Sequence, residues 1–310
     1  MTRFLWRVPA GTRRKNKGGD AKKYDDIPRR KTDTAGVREW MRTAAEKAAD
    51  IIFPPNIYCM ACGVPIRPDE PYSLCSRWLQ EISWANGKLC RVCGKLLEDW
   101  YPVNICGECV NRTRNFDRGV TCMQYREIER KIIRDFKYRG KSFLSRKLSE
   151  IICDKILAEG LEFDIIVPVP MYAAKERKRG YNQAALLGRY LGLRLGVPCQ
   201  SDFLYRIRDT APMSRLGLRD RKRNLDGAFS VSEAAGREIP GRRILLIDDI
   251  YTTGTTAEHC SGLLKSRGAA EVYIASLAAG INQRELPQTA DIQPHMNGDS
   301  GSGRSNTETE

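Results

Sequence analysis

Short runs of consecutive apolar residues alternate with amphipathic stretches through residues 113–281 of this 310-residue chain. Such runs are typical of strands buried on both faces, and the amphipathic stretches are typical of surface helices. The predicted strands cover 119–125, 164–169, 203–207, 243–247 and 271–278. The predicted helices cover 127–138, 143–157, 182–195, 214–225 and 256–267, with a loop between residues 169 and 182. Strands alternating with helices predict an α/β domain with a parallel-rich sheet flanked by helices.

The segments outside this domain differ from it in composition. Residues 1–31 contain eleven Lys or Arg against three Asp, without apolar periodicity, so 1–35 is predicted to be a disordered basic arm. That arm is a nucleic-acid contact, a solvating tail or an overextended gene start. A short helix is predicted within 36–55, ended by Pro54 and Pro55. A cysteine-rich module follows at 56–112, and 282–310 is predicted to be a disordered polar tail.

Charge and hydropathy narrow the class of protein further. The net charge is +14 and 41% of the residues are hydrophobic, which is enough for a sizeable core. No apolar run approaches the roughly 20 residues that a membrane span needs, and the N-terminal apolar stretch is too short for a signal peptide. We therefore expect a cytoplasmic protein without a membrane span. Basic concentrations at 126–147 and 206–223 suit a pyrophosphate or a nucleic-acid backbone.

Seven of the eleven cysteines fall between residues 59 and 109, and six of these form three CxxC pairs. Two CxxC pairs supply the four thiolates of a structural zinc site. The two pairs predicted to do so are separated by twelve residues and comprise Cys90, Cys93, Cys106 and Cys109.

The first cysteine group lacks a fourth member. It comprises Cys59, Cys62 and Cys75, and Trp78 stands three residues after Cys75. This second candidate zinc site is therefore a three-cysteine site, a site that borrows another ligand, or no metal site. A disulfide framework is not expected in a cytoplasmic chain without export signals.

The stretch 244–256 combines a buried strand, two carboxylates and a hydroxyl-rich loop that leads into a helix. Open α/β sheets bind ligands at the carboxyl ends of their strands, and a helix N-terminus offers free N–H groups to a phosphate. Asp248 and Asp249 are suited to hold sugar hydroxyls beside that phosphate. In the alternative interpretation the acids only cap the helix, but a cap needs one acid and no Thr-Thr-Gly-Thr-Thr run.

This stretch resembles the ribose-phosphate motif of the type I phosphoribosyltransferases. The resemblance implies that Asp248 and Asp249 contact the ribose 2′- and 3′-hydroxyls. It also implies a loop that binds the 5′-phosphate, made of Thr252, Thr253, Gly254, Thr255 and Thr256.

A second resemblance covers roughly residues 50 to 280. A strand ending in Pro-Val-Pro at 168–170, the Arg-Gly-Tyr-Asn-Gln run at 179–183 and the Phe-Lys-Tyr-Arg-Gly run at 136–140 follow the paired cysteine motifs. This order is similar to the ComF family of competence-associated, phosphoribosyltransferase-like proteins. The resemblance implies that pyrophosphate binds at the turn of Val169 and Pro170. The basic residues that follow are either the charges that neutralise it or ordinary solvated charges: Lys175, Arg177 and Arg179. Met213 stands where the family usually carries Gln, so the resemblance does not carry over one polar contact near the site.

The resemblance predicts binding of phosphoribosyl pyrophosphate with Mg²⁺ and leaves three functions open. The first is an enzyme that transfers ribose 5-phosphate to an unknown acceptor, although no segment marks a nucleobase-binding hood. The second is a non-catalytic adaptor for single-stranded DNA, with a zinc module and a sugar-phosphate sensor. The third is a zinc-dependent assembly module that docks to a protein of DNA uptake during natural transformation.

Overall fold

The computed structural model describes residues 57–110, 112–138, 140–210 and 225–280. Its strands are β1 (Arg118–Gln124), β2 (Ile165–Pro168), β3 (Leu204–Arg206), β4 (Phe229–Val231), β5 (Arg243–Tyr251) and β6 (Glu271–Ala279). Four of them form a parallel sheet in the order β1-β6-β5-β2, while β3 and β4 form a separate antiparallel pair. The predicted α/β fold with a parallel sheet is confirmed.

Short helices lie in the cysteine-rich part and longer ones surround the sheet. The first group comprises a 3₁₀ turn (Pro71–Ser73), α1 (Ser76–Glu81) and α2 (Gly107–Val110). The second comprises α3 (Glu127–Tyr138), α4 (Leu144–Glu159), α5 (Ala173–Arg179), α6 (Gln183–Leu195), α7 (Glu233–Glu238) and α8 (Thr255–Ser266).

The central strand β5 is buried on both faces, which explains its continuous apolar run. Leu245 and Ile247 belong to a core shared with α4 and α6, whereas Ile244 and Leu246 belong to a core shared with α8. All four side chains are fully buried. Successive residues of a strand point to opposite faces, so the two cores lie on opposite sides of the sheet.

The cysteine-rich part packs against the outer edge of β1. The segment that joins its two cysteine groups pairs with that edge, since Ala85 N donates to Cys122 O and Gln124 N donates to Ser83 O, at 2.9 and 2.8 Å. A Cβ on Gly94 would lie 2.5 Å from the carbonyl oxygen of Gly119. Only glycine permits this approach of the two backbones, which attaches the second cysteine group to the sheet.

Within residues 113–281, four elements differ from the predictions. The loop predicted between residues 169 and 182 is wrong in part, because it contains α5, a short polar helix without a buried residue and hence without apolar periodicity. Strand β5 continues to Tyr251, past its predicted end at 247, because β6 pairs with it as far as Ala279. Strand β4 and helix α7 were not predicted; both are short and interrupted by polar residues.

Several predictions fall outside the described residues. These are the basic arm at 1–35, the helix within 36–55, most of the helix at 214–225 and the tail at 282–310. In the part of the chain that the structure describes, no helix combines the length and the apolar character that crossing a membrane requires.

Candidate functional site

The two adjacent carboxylates near the end of β5 point to opposite faces of the sheet. Asp248 lines a small hollow together with the loop residues 252–256, whereas Asp249 forms an ion pair with Lys137 of α3. The Lys137 Nζ lies 2.7 Å from Asp249 Oδ2, and the Asp249 side chain is only 11% exposed. Asp249 also donates its backbone N–H to Asp248 Oδ1 at 2.8 Å. One acid thus faces the loop while the other is held by a lysine.

The electrostatics of this pair follow from burial and from the lysine. Burial, reinforced by the charge of Asp249, raises the pKa of Asp248 to about 7. Burial of the Lys137 ammonium opposes its charge, but Asp249 and Asp248 outweigh that effect and raise the pKa of Lys137. Asp248 therefore exchanges its proton near neutral pH, which lets it accept or donate a hydrogen bond to a hydroxyl group.

The hydroxyl-rich loop turns sharply at Gly254, the residue that precedes α8. Its φ is +76°, and a Cβ there would lie 2.2 Å from the hydroxyl oxygen of Tyr251. Thr253 and Thr255 share a hydrogen bond between their hydroxyls at 2.9 Å. The first N–H groups of α8 have no acceptor within the helix, so this turn presents donors to the hollow. The arrangement suits a phosphate.

The Pro-Val-Pro turn lies next to these residues. Strands β2 and β5 are parallel neighbours, and Val169 N donates to Ile247 O at 2.9 Å. Val169 lines the same hollow as Asp248, and its carbonyl accepts a hydrogen bond from Asn182 Nδ2 at 3.0 Å. The fold thus brings together two predicted elements that lie about eighty residues apart in the sequence. Pro170 follows directly in this turn.

The three predicted basic residues lie on α5, outside the lining of the hollow. Lys175 is bound to Asp209 Oδ1 at 2.5 Å and to the carbonyl of Thr210 at 2.8 Å. Arg179 lies over the ring of Tyr138, 4.8 Å from its centroid. Arg177 is exposed.

Two residues that the sequence analysis did not assign also contact the site. Lys137 lies within the Phe-Lys-Tyr-Arg-Gly run at 136–140, and that run was its only sequence signal. Arg114 donates to the carbonyl of Thr253 at 3.3 Å, and its charge lies close to Cys109 and Glu258. No motif in the sequence pointed to Arg114.

Both cysteine groups are assembled. Within each group the sulfur atoms lie within 4.8 Å of one another: Cys90, Cys93, Cys106 and Cys109 in one, Cys59, Cys62 and Cys75 in the other. The four-cysteine group is fully buried, and Cys106 N donates to Cys90 Sγ at 3.3 Å, as in metal-binding knuckles. Four clustered thiols are the donor set of a closed structural zinc site.

Comparisons with known proteins match this organisation. The double zinc ribbon domain matches residues 48–123, so the cysteine groups suggest zinc, and the phosphoribosyl transferase domain matches residues 193–295. Competence protein F of Haemophilus influenzae is 32% identical over 230 residues, which cover 72% of this chain and 97% of that protein.

Two further relatives match over a similar number of residues. The DNA utilization protein YhgH of Salmonella typhimurium is 30% identical over 223 residues, covering 70% of this chain and 94% of that protein. Competence protein ComFC of Bacillus subtilis is 26% identical over 224 residues, covering 66% and 82%. The chain therefore belongs to the ComF family, the homologues of competence protein F that join a double zinc ribbon to a phosphoribosyltransferase domain.

Proposed function

We propose that this protein binds phosphoribosyl pyrophosphate in the hollow at the carboxyl ends of β2 and β5 and transfers its ribose 5-phosphate to an acceptor. One observation carries the proposal: Asp248, Val169 and the loop residues 252–256 line the same hollow. A carboxylate, a backbone turn and a hydroxyl-rich helix N-terminus match a ribose hydroxyl, a pyrophosphate and a 5′-phosphate, respectively.

Each group has a defined part in this proposal. The loop 252–256 holds the 5′-phosphate through N–H and hydroxyl donors, and Asp248 accepts hydrogen bonds from the ribose. The ion pair with Lys137, at 2.7 Å, fixes the orientation of the Asp249 side chain at the strand end. Transfer breaks the anomeric C–O bond through a cationic transition state, so a positioned sugar and a stabilised leaving group supply most of the rate enhancement.

The pyrophosphate needs positive charge. Mg²⁺ bound to the pyrophosphate would supply part of it, and Asp248, whose carboxylate faces the hollow, is the residue that would hold the ion. Lys175 is held by Asp209, so a pyrophosphate must compete with that carboxylate for it. Arg177 and Arg179 lie on the same short helix and complete the proposed basic set.

Calorimetry with phosphoribosyl pyrophosphate, with and without Mg²⁺, tests the binding step. A mass-spectrometric search for ribosylated products, with pyrophosphate release as the rate, tests the transfer step. Saturable Mg²⁺-dependent binding with product formation supports the whole proposal. Binding without any product restricts the protein to a sensor role.

A second candidate function is binding of single-stranded DNA in DNA uptake. The names of the relatives from Haemophilus and Salmonella point to competence and DNA utilization. On this chain Tyr138 is 70% exposed with Arg179 stacked on it, and Phe143 is 69% exposed a few residues later. Exposed aromatic rings beside arginine suit base stacking. Replacing Tyr138 by Ala should lower the affinity for a single strand, whereas Leu193→Ala, at an equally exposed apolar residue of α6, should leave it unchanged.

A further inference from the structure

The double zinc ribbon consists of two copies of one unit, offset by 31 residues. Cys59 N donates to Val64 O at 2.8 Å, and Cys90 N donates to Lys95 O at the same distance. Cys75 N donates to Cys59 Sγ at 3.4 Å, and its counterpart bond, from Cys106 N to Cys90 Sγ, measures 3.3 Å.

Three further backbone bonds repeat with the same offset. In the first copy the bonds run from Gly63 N to Cys59 O, from Met60 N to Ser73 O and from Ile66 N to Ile57 O. In the second copy the corresponding bonds run from Gly94 N to Cys90 O, from Arg91 N to Asn104 O and from Leu97 N to Lys88 O. The sequence analysis found only the repeated cysteine pairs. The hydrogen bonds show that the backbone around each metal site repeats as well.

The offset identifies the residue at the missing fourth corner. Cys109 minus 31 is position 78, so Trp78 is the sequence equivalent of the fourth cysteine in the first copy. The Trp78 side chain lies within hydrogen-bonding reach of Cys62, and its backbone N–H lies within reach of Cys75. An indole N–H is only a donor, so Trp78 cannot coordinate a cation.

The two copies also differ in access. All four cysteines of the second copy are buried, whereas in the first copy Cys62 is exposed and Cys75 is half-buried. Among the residues that the structure describes, the first group gains no His, Asp or Glu as a fourth candidate ligand. A zinc ion with three protein ligands and one open position is the arrangement of reactive rather than closed structural sites.

We propose that Cys59, Cys62 and Cys75 bind zinc with a fourth position that takes an external thiolate. The second copy supports this choice of ligand, because a thiolate fills the same corner there. Arg77 is ion-paired with Glu81 at 2.7 Å and lies over the Trp78 ring, 5.1 Å from its centroid, with its charge also near Cys62 and Cys75. The first ribbon is then a site for one small external thiol.

The test uses the full-length protein loaded with Co²⁺, whose absorption bands report the ligands directly. We expect two Co²⁺ ions per chain, and titration with 2-mercaptoethanol should change the bands of one of them. The matched variant Trp78→Cys restores the fourth thiolate. It should bind two ions as well, lose the response to 2-mercaptoethanol, and start with bands like those of a four-thiolate site at both ions.

Two results would overturn the proposal. Binding of a single Co²⁺ by the native chain, with two in Trp78→Cys, would mean that the first group holds no metal. Two ions in the native chain with no response to the added thiol would mean that another atom of the protein fills the fourth position. Neither readout depends on enzymatic activity.

Discussion

The ammonium group of Lys95, in the second zinc ribbon, lies 5.6 Å from the ring centroid of Tyr251, at the end of β5. Lys95 is buried and ion-paired with Glu108 at 2.8 Å, so its position depends on the fold of the ribbon. The Tyr251 hydroxyl in turn lies against Gly254, the turn of the proposed phosphate loop. The four-cysteine centre and the loop are thus joined by direct packing.

Removing zinc from the four-cysteine site should therefore weaken ligand binding as well as unfold the ribbon. In such modules the binding of zinc supplies free energy for folding. Loss of the ion would therefore release Lys95 from its contact with Tyr251, and Arg114 from its hydrogen bond to Thr253. We expect Cys106→Ser to lower the zinc content by one ion and the affinity for phosphoribosyl pyrophosphate at least tenfold. Metal analysis and calorimetry on the same preparation check this.

The control for that experiment is Cys62→Ser in the first ribbon copy, on the other face of the sheet from the hollow. It should leave the affinity for phosphoribosyl pyrophosphate within about twofold of the native value. An equal loss of affinity in both variants would show that the ribbon supports the stability of the whole protein and has no specific effect on the loop.

Gly254→Ala should destabilise the protein more than an ordinary glycine substitution. The left-handed conformation costs an alanine about 1 kcal/mol, and the overlap with the Tyr251 ring and hydroxyl adds about 1–3 kcal/mol. Gly196→Ala is a matched control, because Gly196 has φ +69° and a Cβ there meets nothing within 4 Å. Denaturant unfolding of both variants measures the difference; identical costs would contradict the packing of Tyr251 against the loop.

The contribution of Asp248 to the free energy of unfolding should fall as the pH rises from about 4 to about 7. Its pKa is about 7 in the folded protein, whereas an unfolded Asp has a pKa of 3.8, so the folded state binds the extra proton in this window. Asp248→Asn removes the contribution, so the variant should gain stability relative to the native protein between pH 4 and 7. An unchanged difference at pH 4.5 and pH 7.5 would show that Asp248 is not held protonated.

Lys137→Met should leave the partly buried Asp249 carboxylate without its cation. Loss of one partner of a hydrogen-bonded charge pair costs about 1–3 kcal/mol, and we expect a lower free energy of unfolding of this size together with weaker ligand binding. Arg237→Met, which removes an exposed cation of α7, is the control, and it should change neither quantity. Urea denaturation and calorimetry on both variants test this. If Lys137→Met matches its control, the ion pair has no part in the site.

The sequence predicted what depends on local pattern. The buried run before Asp248, the loop through Thr256 and the cysteine pairs are contiguous, so their structure could be predicted directly. Contacts between distant segments could not, because no periodicity marks them: Lys137 reaches Asp249 from another element, and Gly94 meets Gly119 through backbone alone. The sequence alone showed that Trp78 stands where a fourth cysteine would complete the first group. That Trp78 is equivalent to Cys109 became clear only from the repeated hydrogen bonds.

The most direct test of the account is calorimetric titration of phosphoribosyl pyrophosphate, in the presence of Mg²⁺, into the native protein and into the double variant Asp248→Asn with Asp249→Asn. Circular dichroism and zinc content establish that the variant is folded. The account predicts saturable binding by the native protein and none by the variant. Equal binding by both proteins, or no binding by the native protein, would contradict it.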